Sequence, residues 1–161
     1  MEIYALQVNH LSNPLGYALG KGKLSFSWKV KEAKGKAQKY ARLRIAADNA
    51  MQEILFDSGE DVKANSLGYK VDLKTEPRTR YYWILELASD ADEVTVSAPQ
   101  FFETAKMDEA WIGRWITCAT DQARHPYFVK DIAAKGEVVR ARLYVCGLGL
   151  YEAYAILKRI Q

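Results

Sequence analysis

The stretch Thr79-Arg80-Tyr81-Tyr82-Trp83-Ile84-Leu85-Glu86-Leu87 constrains this chain more than any other. Tyr81, Trp83, Leu85 and Leu87 fall at alternate positions, so an extended backbone puts all four on one face and Tyr82, Ile84 and Glu86 on the other. A face that apolar has to be covered by another layer. The same period recurs upstream. Leu24, Phe26, Trp28 and Val30 alternate with Ser25, Ser27 and Lys29, and Ala41, Leu43, Ile45 and Ala47 alternate with Arg42 and Arg44.

Shorter extended segments fill the intervals. Residues 3–10 open the chain, Asn13-Pro14-Leu15-Gly16 reads as a turn, and Ile54-Leu55-Phe56 ends in Asp57-Ser58-Gly59. Tyr69, Val71 and Leu73 alternate, Ser89-Asp90-Ala91-Asp92-Glu93 is an acidic turn, and residues 94–104 form a last strand interrupted at Pro99, as suits an edge or bulge. Residues 48–53 read as a connection. Seven short strands in about a hundred residues are the requirement of a β-sandwich. Pro77-Arg78-Thr79-Arg80-Tyr81 adds a Pro-x-Thr-x-Tyr spacing like that opening the sixth strand of immunoglobulin-like and fibronectin type III sandwiches, where the tyrosine hydroxyl bonds back to the preceding corner. Residues 1–104 are therefore expected to form a fibronectin type III/immunoglobulin-like sandwich in an all-β chain.

Residues 105–161 differ in kind. Trp111 and Trp115 stand four apart, either anchoring this stretch to the first domain or forming a sugar-stacking platform. Residues 125–132 and 150–157 read as strands, as does the alternation of Val139, Ala141, Leu143 and Val145 with Arg140, Arg142 and Tyr144. The segment is short of a domain. It packs on the first sandwich, pairs with another copy, or begins a second β-sandwich whose remainder is missing.

Of 161 residues, 49% are hydrophobic and 27% charged, which speaks against disorder. No apolar run approaches the length of a membrane span, and the first residues lack the pattern of a signal peptide; an exported parent and a cytoplasmic one both stay open. The net charge of +3 is mild, and the lysines between Lys21 and Lys39 lack interleaved aromatic platforms, so they suit a solvated sheet edge and not a nucleic-acid surface. Cys118 and Cys146 lack metal-ligand spacing and read as small buried hydrophobes or as one pair. Neither a metal nor another cofactor is expected. Asp57, Glu60, Asp61, Asp90 and Asp92 fall in turns and read as solvated, and with only His10 and His125 available no nucleophile constellation exists.

Several stretches together resemble the N-terminal region of bacterial α-L-rhamnosidases: Asn13-Pro14-Leu15-Gly16, Phe26-Ser27-Trp28, Asp57-Ser58-Gly59, Thr79-Arg80-Tyr81-Tyr82-Trp83, Phe102-Glu103-Thr104, Trp115-Ile116, and the run from Ala141 to Glu152. They keep that family's order across nearly the whole chain. The resemblance implies a fibronectin-like sandwich, then the start of a jelly-roll-like, carbohydrate-binding-like sandwich, then a helical barrel outside this sequence that carries the catalytic carboxyls. It implies no catalytic residue here, a scaffolding role, and as partners the rest of the parent enzyme and rhamnose-containing glycans. Two departures stand out: Ala41 replaces an aromatic, and no Asn-Gly hairpin follows Tyr151-Glu152. If a sugar surface exists here, Tyr144, Tyr151 and Glu152 are its candidates; the alternative packs the tyrosines between sheets and leaves Glu152 solvated. A fibronectin-like interaction module, associating with itself through the unfinished sheet, is the alternative function.

Overall fold

The computed structural model describes residues 1–16, 19, 22–118, 126–133, 136–139 and 141–154. Eight strands form among them: β1 Glu2–Val8, β2 Leu24–Lys31, β3 Gln38–Ala46, β4 Ile54–Asp57, β5 Tyr69–Val71, β6 Arg80–Ser89, β7 Val94–Val96 and β8 Gln100–Glu103. A three-stranded sheet runs β1-β2-β5, and a second sheet runs β4-β3-β6, with β7 and β8 both pairing to the far side of β6. All pairings between strands are antiparallel. This is an immunoglobulin-like sandwich. β7 and β8 are one strand track, broken at Pro99 because proline has no N–H for the ladder. The break is bridged: Ser97 N–H donates to Leu85 O at 2.8 Å, and Leu85 N–H donates to Ser97 Oγ at 3.0 Å.

The core lies between the sheets and is built from the alternating positions. Leu24, Phe26 and Trp28 from β2 meet Ala41, Leu43 and Ile45 from β3 and Tyr81, Trp83, Leu85 and Leu87 from β6, all buried. Phe26 packs edge-on against Trp83 with centroids 4.9 Å apart, and Phe102 stacks on Tyr81 at 5.3 Å. Val30, expected in this row, is 37% exposed, so the inward row of β2 ends at Trp28. Ala41 is fully accommodated in the core despite its size.

Two sequence expectations change. Asn13-Pro14-Leu15-Gly16 is more than a turn: Leu15 bridges Glu103 in parallel, Gly16 N–H donates to Glu103 O at 2.7 Å, and Phe101 N–H donates to Asn13 Oδ1 at 2.9 Å. It covers the open edge of β8. Gly16 suits this place, because its φ is +77° and a Cβ there would stand 3.4 Å from Thr104 O. The lysines of β2 do not line an edge, because β2 is the central strand of its sheet; Lys29 and Lys31 coat the sheet's outer face.

The chain divides into two compact units, Met1–Arg114 and Trp115–Gln161. Within the first, residues after β8 stay fastened: Arg78 N–H donates to Ala105 O at 2.9 Å, and Arg78 pairs with Glu109 at 2.7 Å. Within the second, the described residues contain no strand. The alternation at Val139, Leu143 and Val145 therefore has no ladder, and these side chains are exposed. A strand is held by its neighbours, and the alternating pattern alone does not supply one. His125, Arg140 and residues 155–157 lie outside the described residues. Cys118 is half-buried and Cys146 exposed, so neither is the small buried hydrophobe expected.

Candidate functional site

Of the three sugar-surface candidates, Tyr144 is half-buried while Tyr151 and Glu152 are exposed. The ring of Tyr151 lies against Gly147, where a Cβ would come within 3.0 Å of its Cε1 atom. One side of that ring is thus taken by backbone. The Glu152 carboxylate accepts a hydrogen bond from the Tyr154 hydroxyl, which raises the Tyr154 pKa. Tyr154 was not singled out in the sequence, although its spacing of two from Glu152 puts both on one side of an extended chain. Of the tryptophan pair, Trp111 is 55% and Trp115 69% exposed, so neither is buried as an anchor; Lys106 Nζ sits over the Trp111 ring at 5.2 Å.

The most connected side-chain constellation is elsewhere, on the outer face of the β4-β3-β6-β7/β8 sheet. Strand register puts Arg42 opposite Glu86, Arg44 opposite Asp57, Tyr82 opposite Phe101 and Arg80 opposite Glu103. Arg42 grips Asp57 with two hydrogen bonds at 2.9 and 2.6 Å, which hold the Asp57 carboxyl down at a pKa of about 2. Tyr40 donates to Glu86 at 3.1 Å; burial and that bond push its phenol up. Arg80 pairs with the buried Glu103 at 3.2 Å and stacks over Phe101 at 4.3 Å.

Asp57, Glu60, Asp90 and Asp92 are exposed, as expected of solvated turn acids, and Asp61 is half-buried; most of them also act as fasteners. Asp57 also accepts from Gly59 N–H, Asp61 from the Tyr69 hydroxyl at 3.0 Å, and Asp90 from Lys36 N–H at 2.8 Å. Asp92 pairs with Lys39. Glu93 collects the backbone N–H of Lys34 and the N-terminal ammonium, and Lys34 in particular lowers its pKa. The acidic turn thereby clamps the basic loop between β2 and β3.

Two shallow clefts indent the first unit. One of about 300 Å³ is lined by Met1, Val30, Glu32, Gln38 and Leu87 among others; one of about 530 Å³ is lined by Lys23, Asp72, Lys74, Thr75 and Met107. Each has a single carboxylate in its lining, Glu32 in the first and Asp72 in the second. Among the described residues, no group of three His, Cys, Asp or Glu side chains could hold a metal ion.

Comparison with known proteins accounts for this architecture. Residues 3–108 match the family described as the Rha78A-like, N-terminal immunoglobulin domain. An alpha-L-rhamnosidase of Formosa agariphila is 28% identical over 91% of this chain, which spans only 19% of that protein. The solved alpha-L-rhamnosidase of Streptomyces avermitilis, complexed with L-rhamnose, superposes with a TM-score of 0.57 at 27% identity, over 64% of this chain and 10% of its own. That of Dictyoglumus thermophilum shares the fold, with a TM-score of 0.60 at 23% identity over 68% and 13% of the two chains. This chain thus belongs to the family of Rha78A-like N-terminal immunoglobulin domains.

Proposed function

We propose that this chain is a noncatalytic N-terminal β module of an α-L-rhamnosidase-like glycoside hydrolase, acting as scaffold and helping present rhamnose-containing glycans to a catalytic barrel elsewhere in the polypeptide. The observation that carries this reading is coverage: the chain aligns along 91% of its own length with 19% of a rhamnosidase. In this reading residues 105–161 open a second, jelly-roll-like sandwich. The large exposed side chains of its described part, such as Val139, Leu148 and Leu150, then await strands supplied further along. Tyr144, Tyr151 and Glu152 are the residues proposed to meet sugar. The whole enzyme hydrolyses terminal α-L-rhamnosides with inversion, one carboxyl protonating the leaving oxygen and a second activating water.

The test is an aryl α-L-rhamnoside assay on the purified chain and on the longer polypeptide side by side. Release by the longer protein alone is the expected result; release by this chain alone sinks the noncatalytic assignment. The same exposed aliphatic side chains favour a second reading, self-association without glycan binding. A mass in solution that rises with concentration, together with no affinity for rhamnose-containing oligosaccharides, identifies it.

A further inference from the structure

The two outer faces of the sandwich differ in chemistry. The three-stranded sheet presents Ser25, Ser27, Lys29, Lys31 and Lys70 from β2 and β5 and Glu2, Tyr4 and Gln7 from β1, a polar face rich in exposed ammonium groups with one tyrosine, in which Lys31 pairs with Glu2. The β4-β3-β6-β7/β8 sheet presents arginine, aromatic and aliphatic groups, with no lysine in its paired outward rows. Interfaces between folded proteins are enriched in Tyr, Phe and Arg and depleted in Lys, and the physical reason applies here. An ammonium is strongly hydrated and costly to cover, whereas a guanidinium is weakly hydrated and lies flat.

On the second face the charges are already matched. Arg42 is held by Asp57, Arg80 by Glu103 and Phe101, and Glu86 by Tyr40 and, at 3.6 Å, by Arg44, whose buried Nε has no hydrogen-bond partner, so covering the face leaves each of these ions beside one of opposite sign. Val94 and Val96, opposite Ala88 and Glu86, add exposed aliphatic surface beside them.

We propose that this outer face is the surface by which the sandwich docks onto the remainder of its own polypeptide. The inference rests on the functional reading above in one respect, the existence of that remainder, which makes up about four-fifths of the rhamnosidase relative. Because the cations of the face are neutralised internally, the surface selects a mixed, near-neutral protein face and not a polyanion such as nucleic acid or an acidic glycan.

The experiment is hydroxyl-radical footprinting of Tyr82 and Phe101, on the proposed face, against Tyr4, on the opposite one, in the isolated chain and in the longer polypeptide. The expected result is labelling of Tyr82 and Phe101 several-fold lower in the longer protein, with Tyr4 unchanged. Val94→Glu, at an exposed position of β7 opposite Ala88, is expected to restore that labelling while leaving the thermal midpoint of the isolated chain nearly unmoved. Equal labelling in both proteins overturns the proposal. So does protection already present in the isolated chain and growing with concentration, which identifies a second copy as the occupant. Rhamnoside hydrolysis measured on the same longer protein decides the functional reading separately: an inactive protein with a protected face retains the docking proposal and loses the enzymatic one.

Discussion

The phenolic oxygen of Tyr81 accepts a hydrogen bond from the backbone N–H of Glu76 at 2.8 Å, tying the start of β6 to the corner before it. Thr104 completes the knot from the other side: its hydroxyl donates to Glu76 O at 2.6 Å and accepts from Thr79 N–H at 2.9 Å. The corner therefore joins the segment before β6 to the end of β8. Its ring, stacked on Phe102, faces the core.

Tyr81→Phe keeps the ring and removes the acceptor, leaving the Glu76 N–H without its partner. The expected loss is about 1–2 kcal/mol of stability. Urea unfolding reads it as a lower midpoint at unchanged slope. An unchanged midpoint would show that water replaces the hydroxyl at no cost.

At the break between β7 and β8, the Ser97 hydroxyl takes the Leu85 N–H that a backbone carbonyl would otherwise receive. Ser97→Ala is expected to cost about 1–3 kcal/mol, because that donor belongs to a fully buried residue. Ser97→Thr, which retains the hydroxyl, should recover most of it. Equal midpoints for the two variants would refute the role assigned to the oxygen.

Gly35 lies where the β2–β3 loop meets the acidic turn, and a Cβ there would stand 2.7 Å from Ser89 Cβ. Gly35→Ala must push the loop away, breaking the Lys36–Asp90 and Lys34–Glu93 bonds that hold it. A loss of about 1–3 kcal/mol is expected. Amide exchange should locate the change at residues 34–36, and unaltered protection there would count against the clamp.

The Arg42–Asp57 pair gives a pH dependence with a definite sign. Its folded-state pKa, about 2, lies below the ordinary 3.8, so the stabilisation is complete above that ordinary value and is lost as pH falls towards 2. Both side chains remain about a third exposed, so solvent screening limits the effect to about 1 kcal/mol or less. Asp57→Asn should flatten the stability profile between about pH 4 and about pH 2 and leave its shape at neutral pH unchanged. A wild-type profile already flat in that window would exclude the pair as its source.

The strands of the first unit were legible because each carries its own period. Leu24-Phe26-Trp28 and Tyr81-Trp83-Leu85-Leu87 declare an inward face without reference to any partner, and the Pro-x-Thr-x-Tyr spacing marks the corner. The break at Pro99 was equally readable, since a missing N–H is a property of the residue. The candidate site was less so. Glu152 was singled out without the Tyr154 hydroxyl that engages it, and the paired arginines of β3 read only as outward charges.

Sequence by itself determined the inward rows of β2 up to Trp28, of β3 up to Ile45 and of β6 from Tyr81 to Leu87, because alternation is a local rule fixed by backbone geometry. Tertiary structure alone decided how distant segments meet: that Asn13 to Gly16 cover the edge of β8, that β2 is central and its lysines coat a face, and that the turn acids clamp a basic loop. It also decided that the alternation at residues 139–145 forms no ladder among the described residues. The physical reason is common to all of these. A strand's hydrogen bonds and a carboxylate's partners come from segments far away in the chain, and the period of a segment carries no information about which segment that will be.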